Sequence, residues 1–247
     1  MKEETLISIK NLSISFNDNK VLDNINLKLT NKESLVIIGK SGSGKSVLLK
    51  CLMGLLKPET GSIEIYGDDI VNASRVVKEK ALLNVGVTFQ NGALFDSLKI
   101  WENITFKDIR SYGYDIVELK NKALAIIQNL GLSESVLDLY PSELSGGMQK
   151  RVAIARAVYT NPKVLFFDEP TSGLDPITGK IINELIISTV KKLGVSAITI
   201  THDISSIEKL ANKIILLDEK KISWIGSPKE FKETDNKIIK QFLSNSL

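Results

Sequence analysis

Residues 34–55 read SLVIIGKSGSGKSVLLKCLMGL, and this stretch decides the fold class. The run from Ser34 to Ile38 is apolar and short, which is typical of a buried strand, and it stops in a glycine-rich loop. After the loop, apolar side chains recur with helical spacing at Val47, Leu48, Cys51, Leu52 and Leu55. Strand, glycine loop and helix in this order predict the opening unit of an α/β sheet.

The loop matches the phosphate-binding pattern G-x-x-x-x-G-K-S/T in full. Glycines let backbone N–H groups turn toward phosphate oxygens, and the positive end of the next helix adds to the attraction. Lys45 then reaches the β- and γ-phosphates, and Ser46 offers a hydroxyl to Mg²⁺. A plain glycine turn is the alternative, but the flanking strand and amphipathic helix favour the phosphate loop. The predicted ATP contacts here are Gly39, Lys40, Ser41, Gly42, Ser43, Gly44, Lys45, Ser46 and Val47.

An acidic pair ends a second apolar run, Val164 to Phe167. An aspartate at such a strand end, here Asp168, can hold Mg²⁺ beside a phosphate loop. The next residue, Glu169, would then point toward the γ-phosphate and could activate a water molecule. Acidic pairs after strands are also common turn signals, so the prediction depends on the phosphate loop being present.

Residues 144–151 read LSGGMQKR and resemble the LSGGQ signature of ABC (ATP-binding cassette) ATPases, with Met148 where glutamine is usual. A serine helix cap followed by flexible glycines is the plainer interpretation. The order of the motifs favours the resemblance: phosphate loop, Gln90, signature, acidic pair, the SGLD of residues 172–175, then His202. The sequence is therefore identified as a member of the ABC ATPase superfamily over nearly its whole length.

This resemblance implies a head-to-tail dimer, in which each ATP lies between one chain's phosphate loop and the other chain's signature. Ser145, Gly146 and Gly147 would contact the partner's ATP from a helix N-terminus, which favours anions. The resemblance also implies that Gln90 senses Mg²⁺ and water, and that His202 contacts the γ-phosphate.

Two further ATP contacts are weaker predictions from the same resemblance. Phe16 would stack on adenine, although a strand aromatic usually packs in a core. Asp175 would join the nucleotide site, and because Pro176 follows it, the same residue is a good helix N-cap. The expected catalytic residues are Glu169, His202, Gln90 and Lys45, and the expected Mg²⁺ ligands are Ser46, Gln90 and Asp168.

The expected fold is α/β: a RecA-like mixed sheet core with an N-terminal antiparallel β subdomain and a helical insert. Alternating apolar residues between Leu6 and Leu29 predict antiparallel strands around a turn at Asn17-Asp18-Asn19. One domain over residues 1–247 is expected, with the core at 1–90 and 160–226, the insert at 91–159 and a helical tail at 227–247. Other predicted strands are Val85–Phe89, Ala197–Thr201 and Ile214–Leu217, and predicted helices are Ile116–Leu130, Gln149–Tyr159 and one from Ser227 to near Leu243.

Composition excludes several classes of protein. A net charge of +3 over 247 residues does not indicate a nucleic-acid binder. The single cysteine, Cys51, excludes an intramolecular disulfide and favours a reducing compartment. The sequence contains no run of about 18 apolar residues, so it predicts no membrane span, and the acidic start MKEETLISIK is unlike a signal peptide. The chain could still lie against a membrane through a partner, and the transporter resemblance implies a peripheral position at the cytoplasmic face of the bacterial inner membrane.

Four finer details resemble the ATPases of Mla-type phospholipid transporters: FQNGALFDSL at 89–98, PSELSGGM at 141–148, DPITG at 175–179 and QFL at 241–243. This implies a permease, an MCE-domain lipid-binding protein and, in some relatives, a STAS-domain accessory protein. Alternatives are a soluble ABC ATPase that remodels an assembly, as in iron–sulfur biogenesis, or the ATPase of another small-molecule importer. A chromosome-type ATPase fits poorly, because no long coiled coil separates the phosphate loop from the signature.

Overall fold

The computed structural model describes residues 4–110 and 113–244 of the chain. The strands are β1 Thr5–Phe16, β2 Asn19–Thr30, β3 Ser34–Ile38, β4 Thr60–Ile65, β5 Asp68–Asp69, β6 Val85–Thr88, β7 Val164–Asp168, β8 Ser196–Ile200, β9 Lys213–Asp218 and β10 Lys221–Gly226. The helices are α1 Lys45–Leu52, α2 Arg75–Leu82, α3 Ile100–Ile104, α4 Phe106–Ile109, α5 Ile116–Asn129, α6 Gly146–Val158, α7 Pro176–Leu193, α8 Ile204–Leu210, α9 Pro228–Glu233 and α10 Lys237–Ser244.

A six-stranded sheet with the order β10-β9-β3-β8-β7-β6 forms the centre. Its strands are parallel except β10, which pairs antiparallel with β9, so the sheet is mixed as expected. Alternate residues of the inner strands enter two different cores: in β3, Leu35 and Ile37 join one, while Val36 and Ile38 join the other. A sheet covered on both faces needs nearly continuous apolar strands, which is why all of its strands except β10 were visible in the sequence.

The N-terminal sheet, in the order β2-β1-β4-β5, packs over one face of the central sheet and shares its core with α1. Asn17 and Asp18 connect β1 to β2, both with positive φ, of 48° and 62°. Two such residues form the turn whose twist matches a hairpin. The predicted three-residue turn was one residue too long, because Asn19 already pairs with Phe16.

The helical insert lies on the other face, where α3, α5 and α6 pack around side chains such as Trp101 and Ile127. The predicted helix at Ile116–Leu130 is confirmed to within one residue. The helix predicted at Gln149–Tyr159 begins three residues earlier, at Gly146, because Ser145 caps it. No strand occurs among the described residues between 91 and 159.

Two predictions at helix ends were wrong. Helix α1 stops at Leu52, and Leu55 lies beyond it with 62% of its surface exposed. The expected single C-terminal helix is two helices, α9 and α10, because Asn236 caps a new helix by accepting from the N–H groups of Ile238 and Ile239. Residues 1–3, 111–112 and 245–247 of the predicted units lie outside the described residues.

Cys51, one of the apolar positions with helical spacing, lies on α1 with 1% of its surface exposed and packs in the core. Within the described ranges, none of the helices is both long enough and apolar enough to cross a membrane.

Candidate active site

The phosphate loop joins β3 to α1 and approaches its neighbours too closely for side chains. Gly44, the N-cap of α1, has φ of 100°, and a Cβ there would lie 2.7 Å from Leu22 Cδ2. A Cβ at Gly39 would lie 2.3 Å from the carbonyl oxygen of Leu217. Only glycine fits these two positions, so the loop leaves its backbone N–H groups accessible at the start of a helix.

Lys45 crosses its own loop. Its Nζ donates to the carbonyl oxygens of Gly39, at 2.8 Å, and Lys40, at 2.9 Å. Burial lowers the pKa of Lys45, while the charges of Glu169 and Asp168 act in the opposite direction. The loop therefore holds one cation near two carboxylates, as a phosphate site with a divalent ion requires.

The acidic pair lies at the carboxyl end of β7, and α1 packs against this strand. Oδ1 of Asp168 is buried and has no hydrogen-bond partner among the described residues. Burial raises the pKa of Asp168, and Glu169 adds to the effect. An unpaired carboxylate oxygen and the hydroxyl of Ser46 are hard oxygen ligands of the kind that Mg²⁺ prefers, so these residues fit the ion.

Glu169 occupies a strained turn. Its φ is 46°, unusual for a residue with a side chain, and its N–H donates to Ile200 at the end of β8. Its Oε2 lies 2.6 Å from Nδ1 of His202, which follows the same strand. Two parallel strands thus bring together a carboxylate and an imidazole that are 33 residues apart in sequence.

Gln90 follows β6 and is held from two sides. Its Nε2 donates to Oγ of Ser172 at 3.1 Å, and its carbonyl oxygen accepts a hydrogen bond from Nζ of Lys150. The N–H of Ser172 in turn donates to the carbonyl of Glu169. Sequence reasoning assigned no site role to Ser172 or Lys150, although one lies in the SGLD motif and the other follows the signature.

Several of these groups line one cavity of about 490 Å³, whereas Asp168, Ser172 and Lys150 are not part of its lining. Its lining combines the phosphate loop with residues from four other segments: Val21, Gly39, Ser41, Gly42, Gly44, Lys45, Ser46, Val47, Gln90, Glu169 and His202. Glycine N–H groups, a cation and a carboxylate–histidine pair around one space can hold a triphosphate and orient water at its end.

The signature residues lie elsewhere. Ser145 caps α6, with its Oγ accepting from the N–H of Met148. Ser145 and Gly146 are exposed, while Gly147 and Met148 are partly buried. Gly146 lines a separate cavity of about 270 Å³ together with Gln90 and Ser172. Gly147 packs tightly, since a Cβ there would lie 2.7 Å from Thr178 Cγ2. Within this chain the signature does not face the phosphate-loop cavity.

Phe16 and Asp175 also lie outside the lining of that cavity. Phe16 ends β1 with 44% of its surface exposed. Oδ1 of Asp175 accepts from the N–H groups of Ile177 and Thr178, both at 3.0 Å, and caps α7. Hydrogen bonds from Thr178, with that of Ile177, lower the pKa of Asp175. The capping role predicted for Asp175 is confirmed.

Comparison with known proteins agrees with this geometry. Residues 22–172 match the ABC transporter family. Curated relatives include the methionine import ATP-binding protein MetN of Clostridium tetani, 37% identical over 91% of this chain and 70% of its own, and the glutamine transport ATP-binding protein GlnQ of Escherichia coli, 36% identical over 97% and 99%. The chloroplast protein TRIGALACTOSYLDIACYLGLYCEROL 3 of Arabidopsis thaliana is 36% identical over 99% and 75%.

Solved structures are similar over most of the chain. One is the dimeric ATP-binding cassette MJ0796 in a post-hydrolysis state bound to ADP and Pi, with a TM-score of 0.81 and 30% identity over 90% of this chain and 98% of its own. Another is cbiO1 of Clostridium perfringens, part of the transporter complex cbiONQ, with a TM-score of 0.81 and 27% identity over 99% and 100%. The chain belongs to the ABC transporter family as an ATP-binding subunit, an ATPase that uses ATP with Mg²⁺.

Proposed function

We propose that this chain hydrolyses ATP at a site completed by a second copy of itself, arranged head to tail, and so drives a membrane permease. One observation carries the proposal: the phosphate loop, Gln90, Glu169 and His202 share a cavity that the signature residues of the same chain do not reach. The exposed start of α6 is suited to bind an anion, and it lies outside the lining of the phosphate-loop cavity of its own chain. The dimeric neighbour bound to ADP and Pi supports this arrangement.

Residues in and around the cavity have distinct roles in the proposal. Lys45 and the loop N–H groups bind the phosphates, and Phe16 stacks on adenine. Asp168, Ser46 and Gln90 would hold Mg²⁺, which would supply charge neutralisation on the phosphate oxygens. Glu169 accepts a proton from the attacking water, and His202 fixes the carboxylate through the 2.6 Å contact while reaching the γ-phosphate.

The remaining proposed contacts come from the second copy. Ser145, Gly146 and Gly147 of one chain lie over the γ-phosphate held by the other. Asp175 caps α7 and so stiffens the turn that joins the acidic pair to this helix. ATP bridges the two chains, whereas ADP and phosphate separate without a bridge. Hydrolysis therefore alternates the pair between closed and open states, which is a motion that an attached permease can use.

We infer that the transported substrate is a lipid, moved between bacterial membranes through a permease and an MCE-domain protein. The support is the sequence of segments 89–98, 141–148, 175–179 and 241–243, which resembles the ATPases of Mla-type transporters. A relative over nearly the whole chain carries the name of a diacylglycerol glycolipid. The chain would lie at the cytoplasmic face of the inner membrane, with a STAS-domain protein as a further candidate partner.

The permease contact would lie beside Gln90. Phe95 is 41% exposed, and its ring packs against Phe106 with centroids 4.3 Å apart. A firmly held, exposed aromatic next to a loop that contacts the ATP cavity is suited to receive a short helix from a membrane subunit.

Amino-acid import is the second candidate function. Relatives named for methionine and glutamine transport support it, with 37% and 36% identity. A soluble remodelling ATPase is a third, and it predicts no membrane partner. Purification of the tagged chain from detergent-solubilised membranes, with mass spectrometry of its partners, separates the three. A permease with an MCE-domain protein supports lipid transport, a permease with a small-molecule binding protein supports import, and a soluble complex contradicts both.

A further inference from the structure

Helix α6 carries three cations, each of which donates to main-chain carbonyls of another segment. Lys150 donates to Gln90, and Arg156 donates to Gly92 and Ala93 at 2.7 Å each. Arg151 points elsewhere and donates to the carbonyls of Leu130 and Gly131. Two cations of α6 therefore bind the segment that follows β6, and the third binds the end of α5.

Lys150 is the unusual member of this set, because it is a lysine with 8% of its surface exposed. A buried ammonium is costly unless it is paired. Its hydrogen bond goes to the carbonyl of Gln90, and the charges of Asp168 and Glu169 attract it from the end of β7. The charge thus lies between the signature helix and the acidic pair.

Gln90 is consequently attached to two different parts of the molecule. Its main chain is bound to α6 through Lys150, and its side-chain amide is bound to Ser172 in the turn after β7. Ser172 continues the connection through its N–H to the carbonyl of Glu169. Any shift of α6 relative to the sheet must move Gln90 or break one of these bonds.

We propose that Lys150 is a positioning residue for ATP hydrolysis, which ties Gln90 to the signature helix so that closure of the signature places the Gln90 amide. The inference rests on the proposed role of Gln90 and holds for any transported substrate. Lys150 itself touches neither ATP nor water in this account. It acts by keeping Gln90 in register with the residues that approach the partner's nucleotide.

The test compares the ATPase kinetics of the full-length variants Lys150→Met, Lys150→Arg, Arg151→Met and Gln90→Ala with those of the unaltered chain. Lys150→Met should lower kcat about tenfold and leave KM for ATP within about twofold, because positioning is lost and phosphate binding is not. Lys150→Arg keeps a cation and its donors and should recover most of kcat. Arg151→Met is the matched control on the same helix and should lower Tm with little change in kcat.

Lys150→Met with unchanged kcat overturns the inference, and so does an equal loss in Arg151→Met. Gln90→Ala distinguishes a failure of the proposed role of Gln90 from a failure of the inference about Lys150. Normal activity of Gln90→Ala contradicts the proposed role of Gln90 and the inference with it, whereas loss there with normal Lys150→Met contradicts the inference alone. If Lys150→Met does not fold, Lys150→Gln replaces it, with a kcat expected between about one tenth and one half of the unaltered value.

Discussion

Helices α1 and α6 both begin at a loop of glycine and serine, but their surroundings differ. The start of α1 faces Gln90, Glu169 and His202 of its own chain in a cavity of about 490 Å³. The start of α6 is exposed, and its neighbouring cavity of about 270 Å³ lacks Glu169 and His202. Similar local chemistry thus gives one anion site that is nearly complete and one that awaits a ligand from outside the chain.

The N-caps of the two helices also differ, because only α6 is capped by a side chain. Gly44 caps α1 without a side chain, which leaves the first N–H groups free for phosphate. Ser145 caps α6 with its own hydroxyl, so this N-terminus is stable before any nucleotide arrives. The difference fits the proposal that the phosphate loop binds ATP and that the signature of a second copy contacts the nucleotide held there.

Removing the carboxylate beside the phosphate loop should have the largest effect. Glu169→Gln should lower ATP hydrolysis about a thousandfold, because the group that accepts the proton from water is lost. ATP binding should persist, and gel filtration with ATP should show a trapped dimer. Glu118→Gln, at an exposed ion pair on α5, is the control and should keep normal activity. Intact ATP binding by a chain that stays monomeric would count against the mechanism.

Changing one loop at a time should sharpen the contrast between α1 and α6. Gly146→Asp places a negative charge where the partner's phosphate approaches, and should lower hydrolysis about a hundredfold. Nucleotide affinity of the monomer, measured by calorimetry, should change less than about twofold. Lys45→Ala should abolish affinity instead. Equal loss of affinity in both variants would contradict the separate roles.

The smallest effect is expected from removing Asp175, the cap of α7. Asp175→Ala should lower Tm by about 3 °C at pH 7, whereas Asp175→Asn should retain most of the stability. The pKa of Asp175 is lowered in the folded state, so its contribution is present above the ordinary aspartate pKa. The Tm difference from Asp175→Ala should therefore shrink as the pH falls through the folded-state pKa. A difference that grows on acidification would exclude the charged cap.

The central strands were predictable because both faces of the sheet are buried. Val164–Asp168 and Ser196–Ile200 fall within one residue of the expected ranges, since continuous apolar runs ending in polar residues leave little freedom. Strands β4, β5 and β10 were missed: β5 and β10 lie at sheet edges, and β4 and β10 are only partly buried. Helix α7 was also missed, although Asp175 and Pro176 mark its start.

Some residues of the candidate site could also be predicted from the sequence, and others could not. The phosphate loop and acidic pair are contiguous motifs, so their residues were visible in sequence. The bonds that hold Gln90 join it to Ser172, 82 residues away, and to Lys150, 60 residues away. Such contacts depend on how α6 packs against the sheet, and no local pattern encodes that packing. The absence of Phe16 from the cavity lining likewise depends on how β1 ends.

The central claim is that each chain holds two different halves of an ATP site, and mixing complementary variants tests it most directly. Lys45→Ala and Gly146→Asp should each be inactive alone, the first through its phosphate loop and the second through its signature. In an equal mixture, half of the dimers are mixed and carry one intact site of two, so activity should return to about a quarter of the unaltered level. A mixture that stays inactive, while mixed dimers form, would contradict the account.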